Sequence, residues 1–78
     1  MEASHILSQE QRHVLGTVFH LIESSLIYFR SVLPVVREAD EQMVRGQIEL
    51  GEVCLKNLAR YFPELRPLAE EWKKRGGL

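Results

Sequence analysis

The sequence predicts an all-α protein, chiefly from two apolar stripes, one in each half of the chain. Both stripes advance by 4, 3, 4, 3 and 4 residues. Because this spacing is close to the helical period of ~3.6 residues, each stripe lies along one side of an α-helix and needs a partner surface. The first stripe consists of Leu15, Phe19, Ile22, Leu26, Phe29 and Leu33, and the second of Val44, Ile48, Gly51, Leu55, Leu58 and Phe62. We therefore expect helices that pack against helices.

The first helix is expected over about residues 8–33, after a loose lead-in over residues 1–7. Ser8 is a good N-cap, and Gln11 three residues later completes a capping box. A second apolar row runs beside the stripe and contains Val14, Val18, Leu21, Tyr28 and Val32. The apolar side is therefore wider than a coiled-coil seam and contacts more than one neighbour.

Pro34 ends or kinks the first helix, because proline lacks an N–H and disfavours a helical conformation at Leu33. Proline also suits the first position of a new helix, and Asp40 suits an N-cap if the second helix begins later. We expect a tight reversal between Leu33 and Asp40 that leaves two antiparallel helices. A single bent helix is the alternative.

The second helix is expected over about residues 40–61, where Phe62-Pro63 ends it. Its shoulder row contains Met43, Gln47, Leu50, Cys54 and Tyr61, and its solvated side carries Arg45, Glu49, Glu52, Lys56 and Arg60. Pro67 begins a short third helix over about residues 67–75, which Gly76-Gly77 stops.

Gly51 lies within the main stripe of the second helix, where a glycine permits the close approach of a neighbouring group. The side chain of Phe19, Phe29 or Trp72 is expected to fill that notch. Gly46 in the same helix is expected to be simply tolerated.

The length of 78 residues corresponds to a single small domain. A chain of this size buries only roughly 60% of its unfolded surface, so a second subunit is a common way to complete its core. We therefore expect a helical hairpin plus a short C-terminal helix that dimerises into a four-helix-type bundle. A three-helix monomer is the alternative. The interface candidates are Val14, Val18, Leu21, Tyr28, Val32, Leu50 and Cys54.

Composition favours a cytoplasmic protein without a membrane segment. The chain has one cysteine, lacks a basic region before its first apolar residues, and contains no apolar run near the ~18 residues of a membrane span. Its net charge of −1 argues against a dedicated nucleic-acid binder.

Two weaker patterns define alternative sites. Glu10-x-x-His13 and His20-x-x-Glu23 have the i, i+3 spacing of metal ligands in helical bundles, but they fall opposite the first stripe, where they are expected to face water. The basic tail supplies weak candidates for nucleic-acid contact, namely Arg66, Lys73, Lys74 and Arg75, among which acidic residues are interspersed.

No pattern in the sequence supports catalysis. Cys54 is expected to be a small buried side chain, since its helical neighbours supply neither a base nor a cation. We expect a non-enzymatic helical interaction or regulatory module without a cofactor. A small nucleic-acid-binding regulator and a metal-binding helical bundle are the alternatives.

Overall fold

The protein is an all-α helical hairpin with a short third helix, as the stripes predict. The computed structural model describes residues 7–76. It contains α1 (Gln9–Val32), α2 (Glu38–Tyr61) and α3 (Arg66–Lys74), with 3-10 turns at Leu33–Val35 and Pro63–Leu65. Most of the expected lead-in, residues 1–6, and Gly77 lie outside the described residues.

The start of α1 has the predicted capping box. The Ser8 hydroxyl accepts from the Gln11 N–H at 3.1 Å, and the Gln11 side chain accepts from the Ser8 N–H at 2.8 Å. Two N–H groups that helix geometry leaves without intrahelical partners are thereby satisfied.

The reversal between α1 and α2 is tighter than expected, and α2 begins earlier. Pro34 lies in the 3-10 turn, Val36 is extended, and Arg37 occupies the N-cap position of a helix that starts at Glu38. Asp40 is therefore not an N-cap. It lies in the first turn, where its carboxylate accepts from the Arg37 Nε at 3.0 Å and acidic groups stabilise the positive end of the helix dipole. The hairpin is thus confirmed over the single bent helix.

The approach to α3 contains a 3-10 turn that the sequence analysis did not predict. Phe62 is extended, the turn follows, and α3 begins at Arg66, one residue before Pro67. Proline is tolerated there because the first turn of a helix needs no N–H donor. At the other end Gly76 has a φ of +80°, the left-handed conformation that stops helices.

The core lies where α3 packs across one side of the hairpin. Its buried cluster comprises Phe19, Leu26, Leu55, Leu65, Ala69 and Trp72. The rings of Phe19 and Trp72 meet edge to face, with centroids 6.4 Å apart. Leu68 of α3 lies against Gly16 of α1. The opposite side of the hairpin has no third helix over it in the described part of the chain.

Gly51 is a point of close contact between α1 and α2, but the neighbour is not aromatic. A Cβ at position 51 would lie 2.8 Å and 2.9 Å from two side-chain carbons of Leu26. The expectation that Phe19, Phe29 or Trp72 fills the notch is therefore wrong. Phe19 and Trp72 contact each other instead, and Leu26 occupies the level of Gly51.

Truncation of the core should be costly at fully buried positions. We expect Phe19→Ala or Leu55→Ala to lower the free energy of unfolding by about 2–5 kcal/mol, because each leaves a cavity. His13→Ala and Glu49→Ala, which change exposed side chains, should stay within about 0.5 kcal/mol. Urea unfolding at one fixed protein concentration measures these values, and an equal loss at His13 and Phe19 would contradict the assignment of helix sides.

The two helical glycines of α2 provide a matched test of the notch. Gly51→Ala should destabilise the protein by about 1–3 kcal/mol, because the new methyl group overlaps Leu26. Gly46→Ala should stabilise it by up to about 1 kcal/mol, since nothing lies within 4 Å of the added atom and alanine is the better helix former. Thermal unfolding of both variants gives the comparison, and a stabilising Gly51→Ala would refute the close approach.

Candidate functional site

The side of the hairpin away from α3 presents two parallel rows without a charged residue. Helical position places Val14, Val18, Leu21, Ser25, Tyr28 and Val32 of α1 beside Met43, Gln47, Leu50, Cys54, Asn57 and Tyr61 of α2. We call these twelve positions the uncharged face. The chain has 21 charged residues, and none of them falls in these two rows between residues 14 and 32 or between residues 43 and 61.

Large apolar side chains dominate the uncharged face and are open to solvent. The exposed fractions lie between 37% and 69% for Val14, Val18, Leu21, Tyr28, Met43, Leu50 and Tyr61. Val32 and Cys54 are half-buried, so Cys54 is less enclosed than the sequence analysis expects. Ile27 and Val53 are also exposed, but each falls away from the face as a single residue, which is ordinary for a protein surface.

A groove joins the two rows at mid-length. Its volume is about 200 Å³, and it is lined by Ile22, Ser25, Leu26, Phe29, Gln47, Leu50, Gly51 and Cys54. A wider groove of about 380 Å³ lies at the end of the hairpin where α1 begins, lined by Leu7, Glu10, Gln11, Val14, Leu15 and Phe62. The uncharged face is therefore ridged and can interdigitate with a partner surface.

Several charged residues of the two long helices lie on other sides and are paired within the chain. Arg30 of α1 binds Glu52 of α2 across the hairpin. On α2 itself, the Arg45 Nε lies 2.8 Å from a Glu41 carboxylate oxygen. These pairs leave the uncharged face clear along its length.

Glu23 is buried, which corrects the expectation that it faces water. Only 5% of the residue is exposed. Its carboxylate binds the Arg75 guanidinium at the end of α3, and the His20 Nδ1 lies 3.4 Å from its other oxygen. The local sequence carries no signal for this pair, because its partners are 52 positions apart.

The candidate metal ligands do not converge. Glu10 and His13 are exposed on the first turns of α1, while Glu23 is committed to Arg75. Within residues 7–76, no three His, Cys, Asp or Glu side chains come close enough together to hold a metal ion.

The basic residues of the tail do not form one surface patch, because Arg75 is turned towards α1. Arg66, Lys73 and Lys74 are exposed on that helix. Arg75 turns back towards α1, where it binds Glu23 and also lies 3.6 Å from a Glu71 carboxylate oxygen. One of the four candidate cations is therefore part of the internal structure.

The segment Gln9–Val35 is long and apolar enough to cross a membrane by length and composition, with a mean hydropathy of 1.2 over its best window. The sequence analysis expects no uninterrupted apolar run of that length, and this segment reaches it with the charged residues Glu23 and Arg30 inside it. Only 17% of that window is buried inside the protein. Much of the apolar surface of α1 is accordingly uncovered in the single chain.

The contact between Glu23 and Arg75 should hold α3 in position. Arg75→Ala is expected to lower the free energy of unfolding by about 1–3 kcal/mol, since it removes the guanidinium from a buried carboxylate. The control Lys74→Ala removes a neighbouring exposed cation and should change stability by less than about 0.5 kcal/mol. Adding Glu23→Leu to Arg75→Ala should recover part of the loss. Equal stability of the two single variants in urea would contradict this role.

Comparison with known proteins identifies no relative of this chain. No protein-family model, no curated protein and no solved structure matches the chain. The uncharged face, with its grooves and its exposed apolar rows, is the feature from which a function can be argued.

Proposed function

We propose that the protein is a non-enzymatic helical interaction module whose uncharged face binds a second copy of the chain. The resulting homodimer is a four-helix-type bundle built from two hairpins. The observation that carries the proposal is the pair of uncharged rows, twelve positions over residues 14–32 and 43–61, on the side that α3 leaves open. In a two-fold symmetric interface the same surface of both copies is in contact. A surface without charged residues can therefore pack against its own copy without like-charge repulsion.

The amount of exposed apolar surface supports a stable contact. A standard protein interface buries roughly 800 Å² on each partner. Seven large apolar side chains, each between 37% and 69% exposed, contribute a substantial part of that area. Covering them also enlarges a core that has only seven buried apolar residues among the described ones.

A protein partner fits the uncharged face better than a lipid surface does. Helices that lie in a membrane interface combine an apolar side with a polar side rich in lysine and arginine. α1 contains no lysine, its two arginines are Arg12 and Arg30, and Arg30 is bound to Glu52. The row on α2 includes the amides Gln47 and Asn57, which match hydrogen-bonding partners on a protein.

The surroundings of Cys54 support a binding role over a catalytic one. The groove beside it is lined by aliphatic and aromatic side chains together with Ser25 and Gln47. A nucleophilic thiolate requires a neighbouring base or cation, and neither type of group lines this groove.

Charge placed within the uncharged face should disrupt the dimer. Val18→Glu or Leu21→Lys would bury an unpaired charge in the interface, so either variant should be monomeric or unfolded. The control Ser24→Glu changes an exposed residue on the lateral side of α1 and should leave the dimer intact, as should a charge at Thr17. Sedimentation equilibrium at micromolar concentration should give twice the chain mass of 9.0 kDa for the wild type.

The melting temperature provides a second reading of the same equilibrium. It should rise with protein concentration, because folding and association are linked. A folded wild-type monomer with a concentration-independent melting temperature would overturn the proposal. Co-sedimentation of that monomer with lipid vesicles would then assign the uncharged face to a membrane surface.

A further inference from the structure

We infer that the two copies pack antiparallel, with α1 against α1 and α2 against α2, about a two-fold axis that crosses the hairpin at the level of Ser25. This inference rests on the proposed dimer and specifies its geometry. It follows from a symmetry in the order of residues along both rows of the uncharged face.

The row on α1 reads nearly the same in both directions about Ser25. The 3-10 turn extends this row by one residue, Val35, since residues three apart align in such a turn. The symmetric pairs are then Val14 with Val35, Val18 with Val32, and Leu21 with Tyr28. Each pair joins apolar to apolar, and the small Ser25 falls on the axis, where two helix backbones approach.

The row on α2 has the same property about position 52. Its symmetric pairs are Met43 with Tyr61, Gln47 with Asn57, and Leu50 with Cys54. The two side-chain amides, both exposed in the single chain, therefore meet each other. An amide donates and accepts at once, so this pair satisfies polar groups that would otherwise be buried among apolar side chains.

One axis serves both rows because their centres lie at the same height. The contact between Leu26 and Gly51 sets the register of the antiparallel helices, so Ser25 lies level with Glu52. Leu15 and Phe62, which line the same groove far from that contact, agree with this register. Two independent rows thus have a common two-fold centre.

The ends of the hairpin are complementary under the same operation. Among residues 7–76, Val35 is the most exposed large apolar residue, at 81%, and it lies at the turn between α1 and α2. Its symmetric partner, Val14, lines the groove of about 380 Å³ at the opposite end with Leu7, Leu15 and Phe62, together with the polar residues Glu10 and Gln11. The antiparallel arrangement therefore sets an exposed apolar side chain over a largely apolar groove at each end of the dimer.

The other face-to-face arrangement has its two-fold axis along the helices and lacks these matches. It sets α1 against the partner's α2 at equal height. In the register that Leu26 and Gly51 set, Asn57 of the second copy then lies at a height between Val18 and Leu21. Its amide faces apolar side chains instead of another amide. Val35 faces its own symmetry mate and leaves the grooves at the other end facing each other.

Single-cysteine variants distinguish the arrangements. In a Cys54→Ala background, Val14→Cys and Val35→Cys are prepared separately, unfolded together, refolded, and treated with a short bis-maleimide. Both positions are exposed, so the core is unaffected. The antiparallel dimer should crosslink in the mixture, whereas each variant alone should not, because identical positions are then ~33 Å apart along the helices. Ser25→Cys alone should crosslink, and Glu49→Cys, on the solvated side, should not.

Each result bears on a different claim. Crosslinking of Val35→Cys with itself, or no crosslink in a mixture whose mass is that of a dimer, would overturn the antiparallel arrangement and leave the dimer standing. A monomeric mass for the wild-type chain would overturn the proposed function as well. Crosslinking of the mixture and of Ser25→Cys, with no crosslink in Val14→Cys alone or in Val35→Cys alone, supports the inference.

Discussion

The contact of the Leu26 side chain with Gly51 sets both how closely α1 and α2 pack and in which register. A β-carbon at position 51 would overlap Leu26, so the short distance between the helices depends on the glycine. The register that results brings Phe19 and Leu55 into one buried cluster, onto which Trp72 of α3 packs. The same register brings Ser25 and Glu52 to one level, and the proposed symmetry of the outer rows depends on that coincidence.

α3 divides the hairpin into two chemically different sides. On one side Trp72, Leu65 and Ala69 complete the core, and the pair between Arg75 and Glu23 ties the end of the helix to α1. On the other side the rows of α1 and α2 stay open, without charge. Nine residues of α3 cover one side of two 24-residue helices, which is why we propose a second hairpin as the cover of the remaining side.

The sequence predicts whatever depends on local periodicity and short motifs. The stripes predict the helices, Ser8 and Gln11 predict the N-terminal cap of α1, and Pro34 predicts the reversal of the chain. Contacts between distant segments cannot be predicted in this way: the sequence places Glu23 near His20 and Ser24, and only the fold brings Arg75 to it. The sequence analysis expects a large aromatic side chain opposite Gly51, whereas the register of the two helices places Leu26 there. The sequence analysis does not single out Val35, Ser25 and Asn57, because the roles that we propose for them depend on pairing across two helices.

The overall dimensions of the particle in solution test the account most directly. The described chain measures 50 × 23 × 19 Å, with a radius of gyration of 14.8 Å over its Cα atoms. Small-angle X-ray scattering should give a forward intensity of two chains and a maximum dimension close to the length of one, because the hairpins lie side by side over their full length. A forward intensity of one chain, or a two-chain particle of about twice that length, would contradict the claim that the uncharged face joins two copies.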